Sequence, residues 1–101
     1  MPANTLRRYS AALTTTGATT IVPAVAASRA LVISKICVAA SGTSTITLTV
    51  GGAVVAAAVP MTANAVYVET GLVVLASETV TATAGTASML TVSIYGEEVD
   101  N

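Results

Sequence analysis

Between Thr43 and Val59 the chain reads TSTITLTV, then Gly51-Gly52, then AVVAAAV. Ile46, Leu48 and Val50 alternate with Thr45, Thr47 and Thr49. A period of two places the apolar set on one face of a pleated strand and the threonines on the other. Two consecutive glycines then supply the positive-φ positions of a tight primed turn at no steric cost. The second apolar run is predicted to pair back on the first and to stop at Pro60. This hairpin commits the chain to antiparallel sheet with one covered face.

Related units flank it. Thr19–Val22 is a short strand closed by Pro23, where a proline costs no ladder bond. Arg29–Ala40 (RALVISKICVAA) is a long apolar stretch whose two faces both read as hydrophobic, which predicts a central strand covered on both sides. Leu31, Ile33 and Cys37 share one of its faces, interrupted at Lys35, and Val32, Ile36 and Val38 share the other. Further strands are predicted over Asn64–Glu69, Leu72–Leu75, Glu78–Ala84 and Ser88–Tyr95, separated by Thr70-Gly71, Ala76-Ser77 and Gly85-Thr86. In Asn64–Glu69 the predicted faces are Val66 with Val68 and Tyr67 with Glu69. About eight short strands at this spacing define an all-β chain, an antiparallel β-sandwich of jelly-roll or Ig-like type. Residues 1–18 are set apart as an N-terminal arm or edge segment, 19–96 as the sandwich domain and 97–101 as an acidic tail.

The composition narrows function. Charged residues make up 9% of the chain, against about 25% in ordinary globular proteins. With 53% hydrophobic residues, such a surface is expected to be covered by copies of the chain and by partners. A membrane partner is not expected: the stretch after the hairpin contains Gly51, Gly52, Pro60, Thr62 and Asn64, which a spanning helix would not carry together. A transmembrane barrel would need strands pooled from several chains. Tyr9–Thr20 mixes Thr, Ser and Ala and makes no apolar signal region. A net charge of −1 gives no general attraction to nucleic acid.

No catalytic constellation is legible, and the chain is predicted not to be an enzyme. It has no His, the commonest general base and metal ligand. Asp100 is its one Asp, and Cys37 has no partner thiol. Gly51-Gly52 lacks the Lys-Ser/Thr and the helix of a phosphate loop. No cofactor and no metal are expected. The candidate residues are therefore for contact. Arg7, Arg8 and Tyr9 form a cluster suited to docking on an acidic surface or on Glu97 and Glu98 of a neighbouring copy. Thr45, Thr47 and Thr49 form a hydroxylated row. Tyr67 and Tyr95 are predicted on strand faces opposite the main apolar residues.

The succession TIVP, RALVISKICVAASGTSTITLTVGG, GLVVLASETVTATAG and LTVSIYG, from Thr19 to Gly96, resembles the small all-β virion proteins of tailed bacteriophages. One departure is Ser77-Glu78, where a Gly-Asp turn would be typical. The resemblance implies a structural protein made in the host cytoplasm and carried on the virion, with a capsid decoration (minor capsid) protein favoured. Its implied partners are itself, with a trimer favoured, and the major capsid protein or another virion protein. A tail or neck subunit and a receptor- or carbohydrate-binding module are the alternatives; the second is weakened because Tyr9, Tyr67 and Tyr95 are the chain's only aromatic platforms.

Overall fold

The computed structural model describes residues 4–100. Nine strands follow one another: β1 (Thr5–Leu13), β2 (Thr19–Val22), β3 (Arg29–Ala40), β4 (Ser44–Val50), β5 (Ala53–Met61), β6 (Val66–Glu69), β7 (Leu72–Val74), β8 (Val80–Ala84) and β9 (Leu90–Asp100). One sheet has the order β1-β9-β3-β6, with β7 also on β3; the other has the order β2-β8-β4-β5. Strand β6 pairs with Ile36–Ala39 and β7 with Leu31–Ile33, so the two are halves of one strand interrupted at Thr70-Gly71. Counted that way, the first strand pairs with the last, the second with the next to last, the third with the sixth and the fourth with the fifth, all antiparallel. A long hairpin nested like this and rolled into two facing sheets is a jelly roll, and the Ig-like alternative falls away. The molecule measures 46 × 21 × 19 Å.

The opening hairpin forms as its residues predict. Burial alternates along β4, with Ile46 and Leu48 wholly buried and the threonines between them half-buried. Gly51 and Gly52 take φ +57° and +85°. Ser44, a buried hydroxyl, accepts from the Thr86 N–H at 3.0 Å and donates to the Thr86 carbonyl at 3.3 Å, which offsets its desolvation. Strand β5 does not stop at Pro60; it runs on to Met61. As an edge strand it needs no donor from proline on its open side.

Strand β3 departs from the sequence reading. Its register against β9 shifts between Ile33 and Lys35. This β-bulge adds one residue and reverses the alternation beyond it. Leu31 and Ile33 before the bulge, and Ile36, Val38 and Ala40 after it, all point into the core, while Val32 and Lys35 are exposed. The strand is therefore covered on one side, not two. Opposite these residues lie Ile46, Leu48, Val80 and Ala82 of the second sheet, and beside them Val92 and Ile94 of β9, all fully buried. Burial of each large aliphatic side chain here contributes about 1.5–3 kcal/mol.

Strand β1 lies at the edge of the first sheet, and β9 runs on past Gly96. Thr5–Leu13 is a nine-residue strand in register with β9 along its whole length. The acidic segment continues β9 as far as Asp100, with Glu97 and Glu98 flanked by β1 and β3. Met1–Ala3 and Asn101 lie outside the described residues. Gly96 allows this continuation: a Cβ there would sit 2.7 Å from the Val32 carbonyl oxygen and 3.2 Å from the Ile33 Cα. Both obstacles are backbone. Gly96→Ala is expected to destabilise the fold by about 1–3 kcal/mol, the usual cost of overpacking. Gly17→Ala, whose added carbon meets only the Thr15 Oγ1 at 3.9 Å, is the control. Equal urea midpoints for the two variants would refute the close-approach account.

Candidate functional site

The bulge in β3 decides what the first sheet shows to the outside. Across its outer face the registers set four rows: Leu6–Glu97–Val32–Val73, Arg8–Tyr95–Lys35, Ser10–Ser93–Cys37–Val68 and Ala12–Thr91–Ala39–Val66. Six large side chains of this face are open to solvent: Leu6 (82%), Val66 (59%), Val68 (49%), Val73 (49%), Val32 (42%) and Tyr95 (39%). Leu6, Arg8, Val32, Ser34, Tyr95 and Glu97 line a shallow groove of about 520 Å³. The Lys35 Nζ stands 5.9 Å from the Tyr95 ring centroid, within cation–π range. This holds the aromatic ring beside the groove.

The second sheet shows a different outer face. Thr20, Thr81 and Thr49 lie side by side, followed by Val54 on β5; Thr83 lies beside Thr47, and Thr45 faces Pro60. The candidates Thr45, Thr47 and Thr49 thus belong to a hydroxylated face, each half-buried by its neighbours. Thr47 has a further task. Its Oγ1 accepts the Ala58 N–H at 3.0 Å, where the chain takes φ +45°. The two outer faces are therefore chemically unlike, one hydroxylated and one aliphatic.

The remaining candidates separate. Arg8 and Tyr95 are cross-strand neighbours on the aliphatic face. Arg7 points to the other side, where its Nη2 donates to the Glu98 Oε1 of the same chain at 3.1 Å. Arg29 lies 3.7 Å from the same carboxylate and is also paired with Asp100. This ladder of two cations and two anions knits the ends of β1, β3 and β9; Glu98 is matched within the chain. Tyr9 is half-buried against the core and is not a surface platform. Tyr67 also turns inward, packing on the core, while Val66 and Val68 take the outer side of β6. This reverses the predicted orientation of Tyr67, because β6 faces the outer side with its valines. Its hydroxyl donates to the Glu69 Oε2 at 2.7 Å.

The sequence reading missed Leu6, Val32, Val66, Val68 and Val73 as surface residues, since apolar residues in a strand were assigned to a covered side. One signal was present: the Ser34-Lys35 pair, two polar residues in sequence inside an apolar strand, marks a place where the alternation slips. Cys37 lies half-exposed in the third row of the aliphatic face. Among the described residues no group of three His, Cys, Asp or Glu side chains is placed to hold a metal ion.

No family model matches the chain, and neither does any curated protein. Among solved structures, a chain of the cyanophage Pam1 capsid asymmetric unit is similar at 17% identity and a TM-score of 0.47, over 99% of this chain and 86% of that one. A likeness of that size decides nothing about function.

The Glu69 carboxylate holds the Tyr67 phenol above its ordinary value of 10.0, first by accepting its hydrogen bond, then with help from burial and from the carboxylate's charge. The neutral phenol is the favoured form in the folded chain. That contribution is complete below pH 10.0 and is lost as pH rises through the raised folded value. In an alkaline absorbance titration, Glu69→Gln is expected to bring one phenol midpoint down towards the ordinary value. An unchanged titration would show that the hydrogen bond is not made in solution.

Proposed function

We propose that this protein is a non-enzymatic structural component of a bacteriophage virion, a capsid decoration protein on the outer surface of the shell. The observation that carries the reading is the aliphatic outer face of the first sheet. A chain with 9% charged residues leaves Leu6, Val32, Val66, Val68 and Val73 in water on one side of a jelly roll. Exposed aliphatic side chains gathered on one face, with Arg8, Lys35 and Glu97 among them, mark an interaction surface. The resemblance of Thr19–Gly96 to small phage virion proteins supplies the setting, and the jelly roll is an architecture that viral capsids use. Its role would be adhesive: many weak contacts, repeated by symmetry, brace neighbouring shell subunits through avidity.

A tail or neck subunit is the reading to which particle imaging would turn if the protein bound only at a vertex. The test is to mix purified protein with shells that lack it and image them. Density at regular lattice positions supports decoration; binding to glycans without binding to shells would overturn it. Val68→Lys, which places a charge on the β6 side of the aliphatic face, is expected to lose shell binding by at least about tenfold. Thr20→Lys, at an exposed residue of the opposite face, is expected to retain binding. The converse result would assign docking to the threonine face.

A further inference from the structure

Each sheet of the sandwich has two edges, and three of the four are blunted. Strand β5 carries Pro60, the positive-φ Ala58 and two shifts of register against β4. The β6–β7 edge is broken at Thr70-Gly71, with Gly71 at φ +77°. Strand β2 is four residues long. Devices of this kind keep edges from pairing with other chains. Strand β1 has none of these interruptions; of its two charges, Arg7 is engaged with Glu98 of its own chain and Arg8 stands on the outer face. It runs nine residues without proline, glycine or bulge, and among the described strands it pairs only with β9. Alternate residues along its other side therefore direct N–H and C=O groups away from the sheet.

The strand's own sequence says what covers that edge. Leu6, Arg7 and Arg8 before Tyr9 are bulky, and Ser10, Ala11 and Ala12 after it are small. Laid antiparallel on itself with Tyr9 opposite Tyr9, the strand uses all nine residues. Leu6 then meets Ala12, Arg8 meets Ser10 and Arg7 meets Ala11. Bulky side chains oppose small ones on both faces. Sliding the register so that Arg7 meets Arg8 would set like charges directly opposite each other, which is destabilising.

We infer that β1 is a homodimerisation edge: two copies join their first sheets antiparallel across β1, about a twofold axis at Tyr9. About eight to ten ladder hydrogen bonds would form. The axis stands perpendicular to the sheet, so the two aliphatic faces lie on the same side and become one surface of twice the extent. The two half-buried Tyr9 rings meet beneath the sheet, as cross-strand aromatic pairs do. The inference does not rest on the virion reading, since it concerns copies of this chain alone. It also differs from the threefold association that the resemblance implies.

Sedimentation equilibrium of the purified chain, over a concentration series reaching millimolar, tests it. The expected mass is twice 9.9 kDa. Exposed Ser10 faces the partner's Arg8 twice in the dimer. Ser10→Glu is expected to tighten dimerisation and Ser10→Lys to weaken it, each by on the order of tenfold over the two symmetric contacts. Circular dichroism of both variants checks that the sandwich persists. A chain that stays monomeric at every concentration, a mass of three chains, or a dimer indifferent to the sign of charge at position 10 would each overturn the inference. Because no shell takes part, failure here leaves the decoration reading standing, and failure of shell binding leaves the dimer standing.

Discussion

The architecture depends on the extra residue in β3. This strand is flanked by β9 on one side and by β6 and β7 on the other, and it supplies core residues at both ends of the sandwich. In regular alternation Leu31 and Ile33 would lie on one face and Ile36, Val38 and Ala40 on the other. Half of them would then leave the core. The bulge between Ile33 and Lys35 brings both sets inward. Its neighbours accommodate it. Gly96 on β9 lies opposite Ile33, where a side chain would meet backbone, and the β6–β7 strand breaks at Thr70-Gly71 on the far side. A line of irregularity thus crosses three adjacent strands at one level, where a bulge bends and twists a sheet.

The same shift fixes the outer surface. Once five apolar residues of β3 turn inward, what remains outside is Val32, Ser34, Lys35, Cys37 and Ala39, continued by Val66, Val68 and Val73. The few charges do little to offset this. Arg7, Arg29, Glu98 and Asp100 are engaged with one another at the end of the sandwich. Glu69 takes the Tyr67 hydroxyl, and Glu78 accepts the Leu75 N–H at 2.9 Å. Lys35 lies over Tyr95. Charge in this chain mainly ties strands and turns together; on the aliphatic face itself stand Arg8, Glu97 and Lys35.

What was legible in the sequence follows from where alternation is strict. In β4, β8 and the first half of β9, Thr or Ser alternates with Ile, Leu, Val or Ala, and burial follows the pattern residue by residue. The Gly51-Gly52 turn was equally plain. In Arg29–Ala40 nearly every residue is apolar, so hydropathy carries no parity and the bulge is invisible except at Ser34-Lys35. Strand β6 misled for a related reason: apolar was equated with inside, yet its valines face out and Tyr67 packs on the core. The acidic end reads as a tail in the sequence because its counterions, Arg7 and Arg29, are far off along the chain and adjacent only after the roll closes. Of the contact candidates, Arg8 and Tyr95 fall on the aliphatic face; the residues that give it its character were read as core.

The chemistry of that face also bears on the kind of association it can sustain. Tight one-to-one interfaces concentrate their energy in a few buried anchors, mostly Trp, Tyr and Arg. This chain has no Trp and no Phe. Its outer face offers valines, one leucine, alanines and a single tyrosine, each able to contribute a modest amount on burial. Translational and rotational entropy must be overcome before any such contact holds, and a spread of small aliphatic contacts overcomes it poorly in a single encounter. Joined copies change that balance, because the second contact is intramolecular once the first has formed. A face built mainly from aliphatic residues, with Tyr95 as its one aromatic ring, binds weakly in a single encounter, and repetition by symmetry would multiply contacts of that kind.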